Sequence, residues 1–170
     1  MRRAATLALV TVTALTACTD EATPVPGDPD YPRDPALDVD NRSAHGDQRS
    51  HNRGLNCMTC HQALGPGRGQ FTLGVTVVDP DGVPAVDPVL ELYTGPMASG
   101  GVLLVTIEGD ALGNVFTTDP LPFPDQPLFP VVRSRDGTTR NAMPFPTISG
   151  ACNLCHKPGF EVRLQAASPS

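Results

Sequence analysis

The stretch Phe71-Thr72-Leu73-Gly74-Val75-Thr76-Val77-Val78 decides the fold, because apolar residues alternate along it with small or polar ones. Alternation with a period of two predicts a β-strand that has one face in a core. The residues that follow, Asp79-Pro80-Asp81-Gly82, have the composition of a tight turn. The chain is therefore expected to reverse here and to return beside this strand.

Four more strands are predicted downstream, each bounded by glycine, proline or an Asp-Gly pair. They cover Val89–Tyr93 and residues 101–107, 115–118 and 128–134. Short strands at turn-punctuated intervals predict an antiparallel β-sandwich or partial barrel. No helix of ordinary length is predicted.

Two copies of one motif stand on either side of this β region. They read Cys57-Met58-Thr59-Cys60-His61 and Cys152-Asn153-Leu154-Cys155-His156. Cys-x-x-Cys-His is the attachment signature of c-type haem, in which two thiols form thioethers to the porphyrin and the next imidazole coordinates the iron. Every cysteine except Cys18 belongs to these motifs. The sequence therefore predicts two covalently bound haem c groups, with His61 and His156 as proximal iron ligands.

Two other uses of the four cysteines remain open at this point. As two Cys-x-x-Cys pairs they could hold one structural zinc ion, although the pairs are far apart in the chain for such a site. In an oxidising compartment they could instead form disulfides or act as redox-active thiols.

Three residues are candidates for the distal side of the irons. His45 and His51 precede the first motif, and with the two proximal candidates they account for all 4 histidines. Two bis-imidazole haems need four histidines, so the count fits. Met143 offers a thioether instead, although core packing is the commoner role of such a methionine. For His45 and His51 the alternative is a solvated loop residue.

The N-terminus has the pattern of an export signal. Arg2 and Arg3 precede an apolar stretch that is too short and too rich in threonine to span a membrane. It ends in Leu15-Thr16-Ala17-Cys18, which resembles the lipobox of bacterial lipoproteins. The resemblance implies a signal peptide over residues 1–17, a lipidated Cys18 and anchoring to a membrane of the bacterial cell envelope, facing the periplasm or the surface. An ordinary signal peptide is the alternative.

The other segments complete the predicted domain organisation. Residues 18–44 carry the lipidated cysteine and a Pro- and Asp-rich stretch that is predicted to be a disordered, semi-extended tether. Residues 45–68 form the first haem segment and residues 69–139 the β-sandwich. Residues 140–170 form the second haem segment and the C-terminal tail.

With their flanks, the two motifs resemble those of small multihaem c-type cytochromes. Gly65-Pro66-Gly67 and Pro158-Gly159 follow the motifs and break any helix there, so the all-helical fold of small monohaem cytochromes is not expected. Residues 69–139 resemble carboxypeptidase-regulatory-like or transthyretin-like modules through their Asp-Gly turns and Asp110-Ala111-Leu112-Gly113-Asn114. That second resemblance implies a scaffold. The predicted fold class is thus mainly β, a small antiparallel β-sandwich flanked by two haem-binding turns.

Charge and the cytochrome resemblance together indicate the function. The formal net charge is −6 and no basic stretch follows Arg2-Arg3, so no nucleic-acid binding is expected. The resemblance implies electron transfer with a redox protein partner in the cell envelope. The alternatives are a haem enzyme, such as a peroxidase or small reductase with an open distal site, and a binding module whose cysteine pairs hold zinc.

Overall fold

The computed structural model of the chain describes residues 24–96 and 100–166, so the predicted signal peptide and Cys18 lie outside the described residues. The described residues form eight strands: β1 (Leu73–Val78), β2 (Val89–Tyr93), β3 (Leu103–Glu108), β4 (Asn114–Thr117), β5 (Phe129–Arg133), β6 (Arg140–Ala142), β7 (Gly150–Ala151) and β8 (Val162–Arg163). Three-residue 3-10 turns lie at Pro35–Leu37, Cys57–Thr59 and Cys152–Leu154. Within these ranges no helix has the length and apolarity that crossing a membrane requires.

The eight strands form two sheets. In the first sheet β1 pairs antiparallel with β4, and its other edge pairs parallel with the short strands β7 and β8. The second sheet has the order β3-β2-β5-β6 and is antiparallel throughout. A predominantly β chain with two antiparallel sheets and almost no helix confirms the coarse fold prediction. The arrangement is consistent with a small β-sandwich.

One apolar core lies between the sheets. It is formed by Leu73, Val75, Val77, Ala85, Leu90, Leu92, Ile107, Val115, Leu128, Val132 and Leu164. Three of these residues come from alternate positions of β1, as the period-two pattern predicted. The core accounts for the strong apolar alternation of the middle of the chain.

The five predicted strands correspond to β1 to β5, with ends shifted by at most two residues. The predicted turn after β1 is also present. The Asp79 side chain accepts hydrogen bonds from the backbone N–H groups of Asp81 and Val83, and Gly82 has a φ of 84°. Strands β6, β7 and β8 were not predicted, because segments of two or three residues contain no measurable periodicity.

On both sides of the domain, short segments rather than long strands connect the two sheets. On one side the Ser43 hydroxyl donates to the carbonyl oxygens of Glu108 in β3 and Phe116 in β4, at 2.6 and 3.1 Å. On the other side the chain after β8 reaches β6, where the Arg140 N–H donates to the carbonyl of Gln165 at 2.8 Å. Hydrogen bonds thus connect the two sheets on both sides.

The prediction of a disordered tether is wrong for residues 24–44. This segment packs on the domain through specific hydrogen bonds, including a backbone bridge between Arg42 and Thr117. The Arg33 side chain is only 7 % exposed and forms an ion pair with Asp38 at 2.9 Å. The Pro- and Asp-rich composition of residues 24–44 suggested a solvated segment, but buried hydrogen bonds to neighbouring loops hold this segment in place.

Strand β1 is buried on both faces along all six residues. Leu73, Val75 and Val77 face the core. The opposite face carries Gly74 and Thr76, which contact the two Cys-x-x-Cys-His segments. The candidate site is therefore built directly on this strand.

Candidate functional site

The two Cys-x-x-Cys-His segments fold into the same turn. In the first, the N–H groups of Cys60 and His61 both donate to the carbonyl of Cys57, at 3.2 and 3.0 Å. In the second, the N–H groups of the matching cysteine and histidine donate to the carbonyl of Cys152, at 3.1 and 2.9 Å. Each segment thus brings two thiols and one imidazole together on a single 3-10 turn.

In the first segment, His61 is held in a fixed tautomer. Its Nδ1 lies 2.9 Å from the carbonyl oxygen of Arg68, and because a carbonyl only accepts, Nδ1 carries the proton. The ring stacks on Phe71 with centroids 3.9 Å apart, and Phe71 stacks on Phe116 at 4.8 Å. Burial lowers the pKa of His61, which favours the neutral ring. The free Nε2 is the atom that a metal ion would bind.

The loop after the first motif wraps closely around this imidazole. A Cβ added at Gly67 would lie 2.8 Å from the ring of His61, so only glycine fits there. The Arg33 guanidinium donates to the carbonyls of Gly65 and Gly67 and fixes the loop from outside. Arg33 was not singled out from the sequence, since an arginine between prolines resembles an ordinary solvated residue.

The first motif opens into a cleft of about 1130 Å³. The cleft is lined by both thiols of the motif, by His61 and by His51. The ring centroids of the two histidines are 6.0 Å apart and their planes differ by 34°. The sequence candidate His51 is therefore placed beside the proximal candidate by the fold.

The residues of the cleft fit a haem group. The cleft volume lies just above the range for small-molecule and cofactor sites, about 300–1,000 Å³. The imidazoles of His51 and His61 both belong to the cleft lining, with ring centroids 6.0 Å apart. Two thiols, two imidazoles and the apolar faces of Phe71 and Phe116 are the groups that a covalently attached haem uses.

The second motif repeats the arrangement on a smaller scale and closer to the surface. The Nδ1 of His156 lies 3.3 Å from the carbonyl oxygen of Phe160, and the two rings stack with centroids 5.2 Å apart. Phe160 is 66 % exposed. Cys152 packs against the edge of the core, whereas Cys155 is exposed. The residues again fit thioether attachment with an axial imidazole.

The fold brings the two motifs, so distant in the chain, onto neighbouring positions of β1. Gly74 contacts the first motif, because a Cβ added there would lie 2.9 Å from Cβ and 3.0 Å from Sγ of Cys57. The same Gly74 pairs with Ala151, which immediately precedes Cys152. Asn153 of the second motif also donates to the carbonyl of Leu55 at 2.9 Å. Two haems attached here would be neighbours.

The first thiol of each motif is protected by burial and does not have the lowered pKa of a redox-active thiol. Burial raises the pKa of Cys57, and burial raises the pKa of Cys152 to about 12. Redox-active Cys-x-x-Cys pairs have lowered pKa values, because the thiolate is the reactive form. The four cysteines of the motifs are free thiols in this structure.

The zinc alternative has no support in the described geometry. One structural zinc ion needs about four protein ligands around it. Among residues 24–96 and 100–166, no group of three or more His, Cys, Asp or Glu side chains is arranged to hold a metal ion. A haem needs fewer protein ligands, because the porphyrin itself supplies the ligands in its plane.

The other two distal candidates lie away from the cleft lining. The Nδ1 of His45 is 2.6 Å from a carboxylate oxygen of Asp87. The backbone N–H of Met143 donates to the carbonyl of Pro130 at 2.9 Å, which extends the pairing of β5 with β6. The sequence favoured His51 over His45 as a distal candidate, and of the two only His51 is among the residues that line the cleft.

The sequence identified the motif residues but did not identify several residues that form hydrogen bonds at the site. Thr76, Asn114 and Asn153 form a buried polar network under both motifs. None of the three was predicted as a site residue, although Thr76 lies on the alternating strand and Asn153 lies within the second motif.

Comparison of the chain with protein-family models, curated proteins and solved structures found no match to any of them.

Proposed function

We propose that this chain is an exported, lipid-anchored c-type cytochrome that carries two covalently attached haem c groups and transfers electrons. The observation that carries the proposal is the repeated turn. Both Cys-x-x-Cys-His segments have the same backbone hydrogen bonds, and in both the histidine Nδ1 meets a backbone carbonyl while Nε2 stays free. A backbone partner on the second nitrogen is typical of metal-binding histidines.

Each residue type then has a definite role. Cys57 with Cys60, and Cys152 with Cys155, would hold the porphyrins through thioether bonds. The Nε2 atoms of the two motif histidines would bind the irons, and the stacked phenylalanines keep the imidazole rings from rotating. Bound haem supplies a one-electron redox couple.

At the first site, His61 and His51 are the residues of this chain that would bind the iron. They line one cleft with ring centroids 6.0 Å apart. A haem held by two imidazoles would transfer electrons rather than activate a substrate. Two imidazoles also favour a lower potential than imidazole with thioether.

The proposed setting of this carrier is the bacterial cell envelope. The sequence of residues 1–18 supports export and lipidation, and attachment of haem to exported chains agrees with it. The partner would be a redox protein in the same compartment. A net charge of −6 favours a partner with a positively charged docking surface.

The test is to count covalent haems. The protein, expressed with its signal in a host that has a haem-attachment system, is expected to keep a haem stain after denaturation and to show a mass excess of two haems. Replacing Cys57 and Cys60 together is expected to remove one of the two. A purified protein with no covalent haem, or with one bound zinc ion, would overturn the proposal.

A second candidate function, a ligand-binding or catalytic haem, is favoured by one observation at the second site. The chain has 4 histidines, and His45 pairs with Asp87 while His51 lies beside His61. No imidazole of this chain is then left for the distal side of the haem on His156. Carbon monoxide separates the two functions: a carrier with two closed sites binds none, and an open second site binds one equivalent. Loss of a near-infrared sulfur-to-iron band in Met143→Ala would identify Met143 as the ligand.

A further inference from the structure

We infer that Asn153, a residue within the second motif, positions the first haem site, so that the two sites are coupled through one buried network. The inference rests on the proposed function. It begins with the contacts of a single side chain that is only 3 % exposed. The Asn153 Nδ2 donates to the carbonyl of Leu55 at 2.9 Å, and its Oδ1 accepts from the N–H of Thr76 at 3.0 Å.

The first connection runs through the backbone before the first motif. Leu55 stands two residues ahead of Cys57, and the Cys57 thiol lies 3.8 Å from the same carbonyl oxygen. The Leu55 side chain is 57 % exposed, so it contributes little packing of its own. The hydrogen bond from Asn153 is therefore a principal restraint on this stretch of chain.

The second connection runs from Asn153 towards the distal histidine. Asn153 Nδ2 also lies 3.2 Å from the Thr76 hydroxyl, and that hydroxyl donates to Asn114 Oδ1 at 2.7 Å. The Asn114 Nδ2 then donates to the hydroxyl of Ser50 at 2.8 Å. Ser50 directly precedes His51, so the network ends one residue before the histidine proposed for the distal side.

The Thr76 hydroxyl, at the centre of the network, has no unused hydrogen-bonding capacity. The Thr76 hydroxyl also accepts from the N–H of Gly54 at 2.9 Å, which uses its one proton and both lone pairs. Thr76, Asn114 and Asn153 are each at most 5 % exposed. In such a buried network, removing one donor leaves its partners unsatisfied, and they move to find new ones.

A change at Asn153 therefore reaches the first haem without touching it. The Asn153 side chain holds Leu55 directly. It holds Ser50 indirectly, through Thr76 and Asn114. The second motif thus does more than attach its own haem. It holds His51 and Cys57 in the positions that close the first site.

The test uses a protein that carries only the first haem. Cys152→Ala with Cys155→Ala removes the second attachment and keeps Asn153 in place. In this background Asn153→Asp retains the acceptor for Thr76 but loses the donor for Leu55. Carbon monoxide binding to the remaining haem is then measured, with Leu154→Ala as the matched control because that neighbouring side chain is 65 % exposed.

Asn153→Asp is expected to raise the fraction of haem that is high-spin and binds carbon monoxide about tenfold, the order of change for one buried hydrogen bond. Leu154→Ala is expected to leave it unchanged. Equal spectra in the two variants would overturn the inference while the retained haem still supported the proposed function. If neither the intact protein nor the variant with Cys152→Ala and Cys155→Ala carries haem, the proposed function is overturned instead. If Asn153→Asp does not fold, Ser50→Ala at the cleft end of the network takes its place, with the same expected rise and the same refuting result.

Discussion

Gly74→Ala tests whether the first motif lies against β1. The φ of Gly74 is not positive, so the backbone accepts alanine, and a compatible Gly→Ala change adds about 0.4–1 kcal/mol to stability through the unfolded chain. The new Cβ would however lie 2.9 Å from Cβ and 3.0 Å from Sγ of Cys57. Overpacking of this kind costs about 1–3 kcal/mol, so the centres of the two ranges leave a net loss of about 1.3 kcal/mol.

The assay is urea unfolding followed together with haem content. With a slope of about 2 kcal/mol per molar, the midpoint of Gly74→Ala should fall by about 0.5–1 M, and attachment at the first motif should become incomplete. Gly95→Ala is the matched control, because its Cβ would meet an ordinary contact at 3.5 Å. In a Cys57→Gly background the loss should largely disappear. If Gly74→Ala is as stable as Gly95→Ala and keeps both haems, Cys57 does not lie against β1.

Three further predictions concern the distal ligand, the anchor and the pH dependence of stability. His51→Ala should turn the first haem high-spin and open it to carbon monoxide, whereas His45→Ala should not; a silent His51→Ala returns that residue to a solvated loop. Cys18→Ala should move the protein from the membrane fraction to the soluble fraction, and persistent pelleting in high salt would count against lipidation. Burial raises the pKa of Glu91, but its hydrogen bond from Arg133 at 2.7 Å helps to hold the pKa below the ordinary value of 4.5. The stability advantage of wild type over Glu91→Gln, about 1 kcal/mol, should therefore be present at pH 7 and lost as the pH falls below about 4.5, and equal urea midpoints at pH 7 would exclude it.

The main strands could be predicted because their information is local. β2 was predicted at its observed bounds, since Val89–Tyr93 is an apolar run between turn residues. The turn after β1 depends on Asp79 and Gly82, which lie within a few residues of each other. The two-residue strands β7 and β8 exist only because β1 offers them a free edge. Such pairing depends on tertiary structure and leaves no periodic signal.

In the candidate site too, the local motifs could be predicted from the sequence but the long-range contacts could not. The six motif residues follow from a five-residue pattern, which is local. The docking of residues 24–44 instead depends on single side chains, Arg33 and Ser43, whose partners are carbonyl oxygens of distant segments. A carbonyl partner has no residue type, so no sequence pattern records it. His51 was the stronger distal candidate in the sequence, but its position 6.0 Å from His61 is a consequence of the fold.

The outer face of β1 explains how a β scaffold can hold the two Cys-x-x-Cys-His segments as neighbours. The outer positions of a sandwich strand usually face water, but those of β1 are buried. Gly74 leaves room for Cys57, and the backbone N–H and hydroxyl of Thr76 bind Asn153. Because β7 and β8 also pair with this strand, the second motif is bounded at both ends by β1. The two motifs therefore pack together over the outer face of β1. Displacement of either motif would expose the strand that positions the other.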